Sequence, residues 1–179
     1  VATRDGERLG YVCLGNPTAQ DWAFEVLGHL VERYALDWVK LDFNLDPGAV
    51  ASALTSRTRA VVPVHFAGRP ADVIAIGTLA ARHGLAMIED AAHCVAGSID
   101  SRPVGTIGDC TCFSFYATKN LTTAEGGMVT TRSDDLARWI RMAALHGMSR
   151  DAWSRYRRGG AVDYDLPIVG FKYNMTDLQ

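Results

Sequence analysis

The sequence predicts an α/β fold, three layers built around a mostly parallel sheet. Two observations carry this. Short apolar or β-branched runs alternate with segments of helical period almost throughout the 179 residues, and such alternation argues a mainly parallel sheet with helices packed on it. The runs also end on polar residues, as in "AMIED" and in "CTCFSFY" followed by "ATKN". That is where open α/β sheets present their ligands.

The elements follow in order. "YVCLG" (11–15) reads as a short strand. Residues 18–35 carry apolar side chains at 22, 26, 27, 30, 31 and 34, a helical period. "LDWVKLDFN" (36–44) reads as a strand. Asp46 is placed to cap a helix whose first position is Pro47. "RAVVPVHF" (59–66) is a buried type of strand. Residues 70–84 predict a helix closed by Gly84. Strands follow at 85–93, ending in acid, at 110–116 and at 126–131. Residues 133–147 predict a helix that opens on a Ser cap, has acids in its first turn and stops at Gly147.

Composition narrows the function classes. Hydrophobic content is 48% and charged content 21%, ordinary for a soluble globular chain. The net charge of −2 implies no general attraction to nucleic acid or an anionic membrane. No apolar run approaches the roughly 20 residues that span a bilayer. The start, "VATRDGERLG", lacks the apolar core of a signal peptide. It also lacks an initiator Met, so the chain is expected to begin inside a longer reading frame. Cys13, Cys94, Cys110 and Cys112 fit no zinc spacing, and no metal site is expected. Cys110 and Cys112 share one face of a strand and read as buried thiols, which suits a reducing cytoplasm. The tail carries Arg150, Arg155, Arg157 and Arg158, either a solvated loop or a patch for an anionic substrate such as a nucleotide diphosphate.

Three polar residues stand at strand exits: Asp90, Ser114 and Lys119. A lysine amine there can form a Schiff base with an aldehyde if its pKa is lowered. Pyridoxal 5'-phosphate (PLP) asks a protein for such a lysine, for a carboxylate that keeps the pyridine nitrogen protonated, and for phosphate donors. The three residues match in type, but an acid, a serine and a lysine this close together are common.

The stretches "PVHFAGRPADVIAI", "IEDAAH", "GDCTCFSFYATKNLTTAEGGM", "LHGMSRDAW" and "GFKYNMTDLQ" resemble the consecutive signatures of the DegT/DnrJ/StrS-type sugar aminotransferases. The resemblance runs from about residue 47 to the end. It implies a PLP-dependent transaminase and, for residues 48–179, part of the large domain of the aspartate-aminotransferase fold (fold type I). Lys119 matches the Schiff-base lysine, which also shuttles the proton. Asp90 matches the acid on the pyridinium nitrogen. His93 matches a residue near the cofactor's phenolic oxygen, and Ser114 a phosphate-binding serine. Asn174 matches an asparagine that reaches the phosphate of the neighbouring subunit's cofactor, which implies a homodimer. The implied substrates are a nucleotide-linked keto sugar and an amino acid donor such as glutamate, in polysaccharide biosynthesis. Relatives with histidine at the Lys119 position are dehydratases. Ala124 departs from the family, which mostly has Gly there.

Other residues have plainer readings. His65, His83 and His146 read as satisfied structural histidines. Glu125 with Gly126 and Gly127 reads as a turn, and Tyr164 and Tyr173 as packing residues.

Residues 1–47 look different. They resemble a piece of the catalytic β/α barrel of bacterial α-galactosidases, with Asp42 in "KLDFN" matching the nucleophilic aspartate and Lys40, Asn44, Cys13 and Gly15 near the sugar site. A chimera meeting near "LDP" is the expectation. A retaining glycosidase needs a second carboxyl group, and the strands that would supply it are absent from the sequence. Two alternatives to a transaminase therefore stand: an α-galactosidase-type hydrolase fragment resting on Asp42, and a non-catalytic fragment. The aminotransferase resemblance is itself partial, so the chain alone is expected to show weak activity or none.

Overall fold

The structure is a computed structural model in which the described residues are 46–148 and 165–179. The chain divides into two compact units, Val1–Leu41 and Asp42–Gln179. The expectations for Asp42, Lys40, Asn44, Cys13, Gly15, Tyr164 and the four tail arginines lie outside the described residues.

The described chain opens as the sequence predicts. Helix α1 (Pro47–Ala53) is capped by Asp46, whose side chain accepts from Gly48 N at 2.7 Å. Strand β1 is shorter than expected, Ala60–Val61 only. The same register continues to a lone bridge between Val64 and Asp90. Pro63 lies between them and has no N–H to give the ladder, which is why the strand breaks there. The chain then makes a short turn at Phe66–Gly68, with Ala67 in the left-handed region at φ +52.

Helix α2 (Val73–Arg82) starts at Asp72, whose carboxylate accepts from Ala75 N at 3.0 Å. It ends in the two hydrogen bonds of a Schellman motif. Leu85 N donates to Ala80 O at 2.9 Å and Gly84 N to Ala81 O at 3.3 Å, with Gly84 at φ +63. Val73, Ile76 and Ala80 are sealed against Ala71 and Met87. Burying each large aliphatic side chain contributes about 1.5–3 kcal/mol.

Strand β2 (Ala86–Asp90) lies between β1 and β5 (Cys110–Ser114), parallel to both. A small hairpin of β3 (Ser98–Ile99) and β4 (Arg102–Pro103) separates them in sequence, turning through Asp100 and Ser101, both at positive φ. Strand β6 (Gly127–Thr131) runs antiparallel to β5 and completes the order β1-β2-β5-β6. The connection 115–126 contains no helix to carry a parallel crossover, so the chain returns antiparallel. The sheet is mixed α/β and mostly parallel, as expected.

Helix α3 (Asp134–Ala144) packs on β6. Ser133 caps it by accepting from Leu136 N at 3.2 Å. Its last carbonyls are satisfied by the final segment: Phe171 N donates to Ala143 O at 2.6 Å and Tyr173 N to Ala144 O at 2.8 Å. No helix among the described residues is long and apolar enough to cross a membrane.

Candidate active site

Pleating sorts the strand residues onto two faces. Asp90 pairs with Cys112 and Ile88 with Cys110 in the β2–β5 ladder. Side chains alternate along a strand, so Asp90, Cys112 and Ser114 share one face. Met87, Glu89, Thr111 and Phe113 take the other. Helix α2 covers that second face through Met87.

On the first face, Asp90 and Ser114 stand at the carboxyl ends of adjacent strands. With about 4.8 Å between strands and 3.3 Å of rise per residue, their backbones are about 8 Å apart. Asp90 is half-buried, and its Oδ1 accepts from Ala92 N at 3.0 Å, which fixes the carboxylate as a local turn. Its backbone is clamped to the segment 63–65 by two bonds: Asp90 N donates to Pro63 O and His65 N donates to Asp90 O, each at 2.9 Å. Ser114 Oγ accepts from Tyr116 N at 3.3 Å, leaving its own O–H to donate elsewhere.

Lys119 sits in the loop 115–126, which is fastened at its base by one residue. Phe115 N donates to Gly126 O at 2.8 Å, and Phe115 O accepts from Thr123 N at 2.9 Å and Thr122 Oγ1 at 3.1 Å. Asn120 ties the loop to the segment that follows Asp90, its Nδ2 donating to Val95 O at 3.5 Å. Lys119 is half-buried, and among the described residues its ammonium has no hydrogen-bond or ion-pair partner.

His93 is half-buried on the turn after Asp90, its ring 5.7 Å from the Phe66 ring and tilted by 55°. Asn174 is exposed and keeps its hydrogen bonds local: Lys172 Nζ donates to its Oδ1, and its Nδ2 donates to Met175 O at 3.2 Å. The segment that bears it reaches the Lys119 loop, because Gln179 Nε2 donates to Glu125 O at 2.5 Å. Asp90, Ser114, His93 and the Lys119 loop thus gather at one sheet edge, while among the described residues no hydrogen bond joins Asn174 to them. The donor set fits PLP in kind, with a carboxylate, a free hydroxyl and an unpaired amine at one edge.

The second face holds what sequence reading missed. Glu89 is fully buried, as is His65, and the two meet at 2.9 Å between Oε2 and Nε2. Ala71 N donates to His65 Nδ1 at 3.1 Å, so Nε2 carries the proton toward Glu89. Gly108 N and Thr111 Oγ1 donate to Glu89 Oε1 at 2.5 and 2.9 Å. Burial pushes the Glu89 carboxyl up, but the hydrogen bonds from His65, Gly108 and Thr111 outweigh it and hold the group below its ordinary value. His65 is the satisfied structural histidine expected. Glu89 left one trace in the sequence, an acid at an inward position of "AMIED".

Two smaller expectations resolve here. The turn at Glu125 forms, with Thr123 Oγ1 donating to Glu125 O at 2.8 Å. Tyr173, expected to pack, is 73% exposed and only stacks on Phe171, with ring centroids 5.0 Å apart. Its backbone is drawn outward by the bonds to α3, and no core element of the described residues covers it.

A model of the DegT/DnrJ/EryC1/StrS aminotransferase family matches residues 32–179. The spore coat polysaccharide biosynthesis protein SpsC of Bacillus subtilis is 53% identical over 136 residues, 76% of this chain and 35% of that protein. Among solved structures, Spr1654 of Streptococcus pneumoniae in its PMP form has a TM-score of 0.67 at 27% identity, over 78% of this chain and 40% of its own. DesI, solved in the presence of its TDP-sugar product, has a TM-score of 0.62 at 37% identity, over 89% of this chain and 37% of its own. The chain spans about a third of the length of the curated relatives it matches.

Proposed function

Because the chain belongs to the DegT/DnrJ/EryC1/StrS aminotransferase family, we propose that it is the cofactor-facing part of a PLP-dependent transaminase. It moves an amino group from an amino acid, such as glutamate, to a keto sugar carried on a nucleotide. The observation that carries this reading is the sharing of one sheet face by Asp90 and Ser114, with the unpaired Lys119 in the loop beside them. The TDP-sugar product of DesI supports the substrate class. A homodimer working in the cytoplasm completes the proposal.

PLP, when bound, supplies an aldehyde for covalent attachment and a cationic ring that draws electrons from the carbon being deprotonated. The chain's residues do the rest. Lys119 would hold the aldehyde carbon through its amine, with loss of water. Once a substrate amino group has displaced it, the freed amine would carry a proton between the two carbons that exchange it. Asp90, its Oδ1 fixed by the Ala92 amide, would hold the proton on the ring nitrogen. Ser114 would donate its hydroxyl to the phosphate. His93 would stand by the phenolic oxygen. Asn174 would serve the phosphate of the neighbouring subunit's cofactor, which fits its purely local hydrogen bonds.

Borohydride reduction in the presence of PLP, followed by peptide mapping, tests this. The reduced adduct is expected on Lys119 and is lost in Lys119→Ala. An adduct confined to Lys40 or Lys172, the chain's other lysines, would overturn the assignment.

A further inference from the structure

Resting on that reading, we infer that the buried Glu89–His65 pair is a positioning device: it aims the Asp90 carboxylate at the cofactor's ring nitrogen by locking the strand end from the opposite face of the sheet. Glu89 and Asp90 are consecutive and point to opposite faces, so the peptide between them is the shared lever. The hydrogen bonds close a ring around that lever. His65 N holds Asp90 O at 2.9 Å, and His65 Nε2 holds Glu89 Oε2 at the same distance. Gly108 and Thr111 hold the other Glu89 oxygen from β5 and the turn before it. Three separate segments therefore hold the Glu89–Asp90 pair, at the Glu89 carboxylate and the Asp90 carbonyl.

Stability alone does not account for this pair. Taking a carboxylate fully out of water costs several kcal/mol, and apolar side chains of like volume fill such a site at least as well. What apolar packing lacks is direction. Three donors on one carboxylate set both its position and its orientation, and Asp90 inherits them through the backbone. Glu89 touches neither cofactor nor substrate, so its role is exerted through Asp90.

The test compares two ligands on the whole protein. One is PLP and the other is its analogue with a C–H in place of the ring nitrogen, which gives Asp90 nothing to hold. Dissociation constants are read from the absorbance of the bound forms. Glu89→Gln keeps the shape but puts an amide N–H₂ against at least one of the three donors, His65 Nε2–H or the pair Gly108 N and Thr111 Oγ1. It is expected to weaken PLP about ten-fold, in the range for directly linked residues, and to leave the analogue unchanged. A merely structural role would weaken both alike, and that result overturns the inference. Thr111→Val removes one donor to Glu89 with little change of shape, and carries the test if Glu89→Gln does not fold. Selective loss of PLP affinity supports the claim, while equal loss or none refutes it. Wild-type protein that binds neither compound overturns the parent reading and this one together. Wild-type protein that binds both equally removes the Asp90 role on which positioning depends.

Discussion

Gly147 and Gly170 cross backbone to backbone, so closely that a Cβ on Gly170 would be driven into Gly147 N, and one on Gly147 into Ile168 O. The crossing lets the segment before Asn174 lie on the C-terminus of α3. Gly170→Ala is expected to undock it and break the bonds from Phe171 and Tyr173 to α3, at a cost of roughly 2–3 kcal/mol. Hydrogen exchange at the Phe171 and Tyr173 amides checks this. Unchanged protection in the variant would refute it.

Ala124 sits at φ +66, and Gly126 nearby at φ +154. A side chain in the left-handed region costs roughly 1–2 kcal/mol, while glycine's extra freedom in the unfolded chain costs about 0.5–1. Ala124→Gly should therefore stabilise the protein by about 0.5–1 kcal/mol, and Ala124→Val should destabilise it. Urea midpoints measure both. A lower midpoint for the glycine variant would show that the left-handed conformation carries no strain.

The Glu89 carboxyl is held below its ordinary value of 4.5 in the folded protein. A depressed acid contributes stability that is fully present above the unfolded value and is lost as pH falls through the folded one. Wild-type stability should thus drop below about pH 4.5. Glu89→Gln should cost roughly 3 kcal/mol near neutral pH, the range for breaking a buried pair. Its deficit should narrow on acidification. Melting curves from pH 7 to pH 3 test this, and a constant gap across that range would contradict it.

Cys94, Cys110 and Cys112 all have thiols pushed above their ordinary value, chiefly by burial. Thiolate is the reactive form. Alkylation by iodoacetamide at pH 7.5 is expected to be at least several-fold slower at these positions than in the urea-unfolded chain, about ten-fold at the fully buried Cys94. Mass spectrometry of timed aliquots reads the rates. Equal folded and unfolded rates would mean the thiols are open.

Much of this architecture was legible where local chemistry decides. The caps at Asp46 and Ser133, the glycine stop at Gly84 and the acid at the end of "AMIED" each express a local rule, and each forms. The rest depended on distant partners. Pro63 sits in the middle of a β-branched run, and its missing N–H matters only because β2 lies alongside. The hairpin 98–103 has two residues per strand, too few for any period to show. Glu89 and His65 are 24 residues apart, and nothing in either neighbourhood announces the other. Asp90, Ser114 and Lys119 were legible only as residue types at strand exits. That the first two share a face follows from the register of β2 on β5.

The loop that bears Lys119 hangs from Phe115 at both ends, so its tip contributes no rung to the sheet. A codon change at position 119 would thus meet little resistance from folding. Heredity can rewrite what such a tip does while the scaffold beneath keeps its shape.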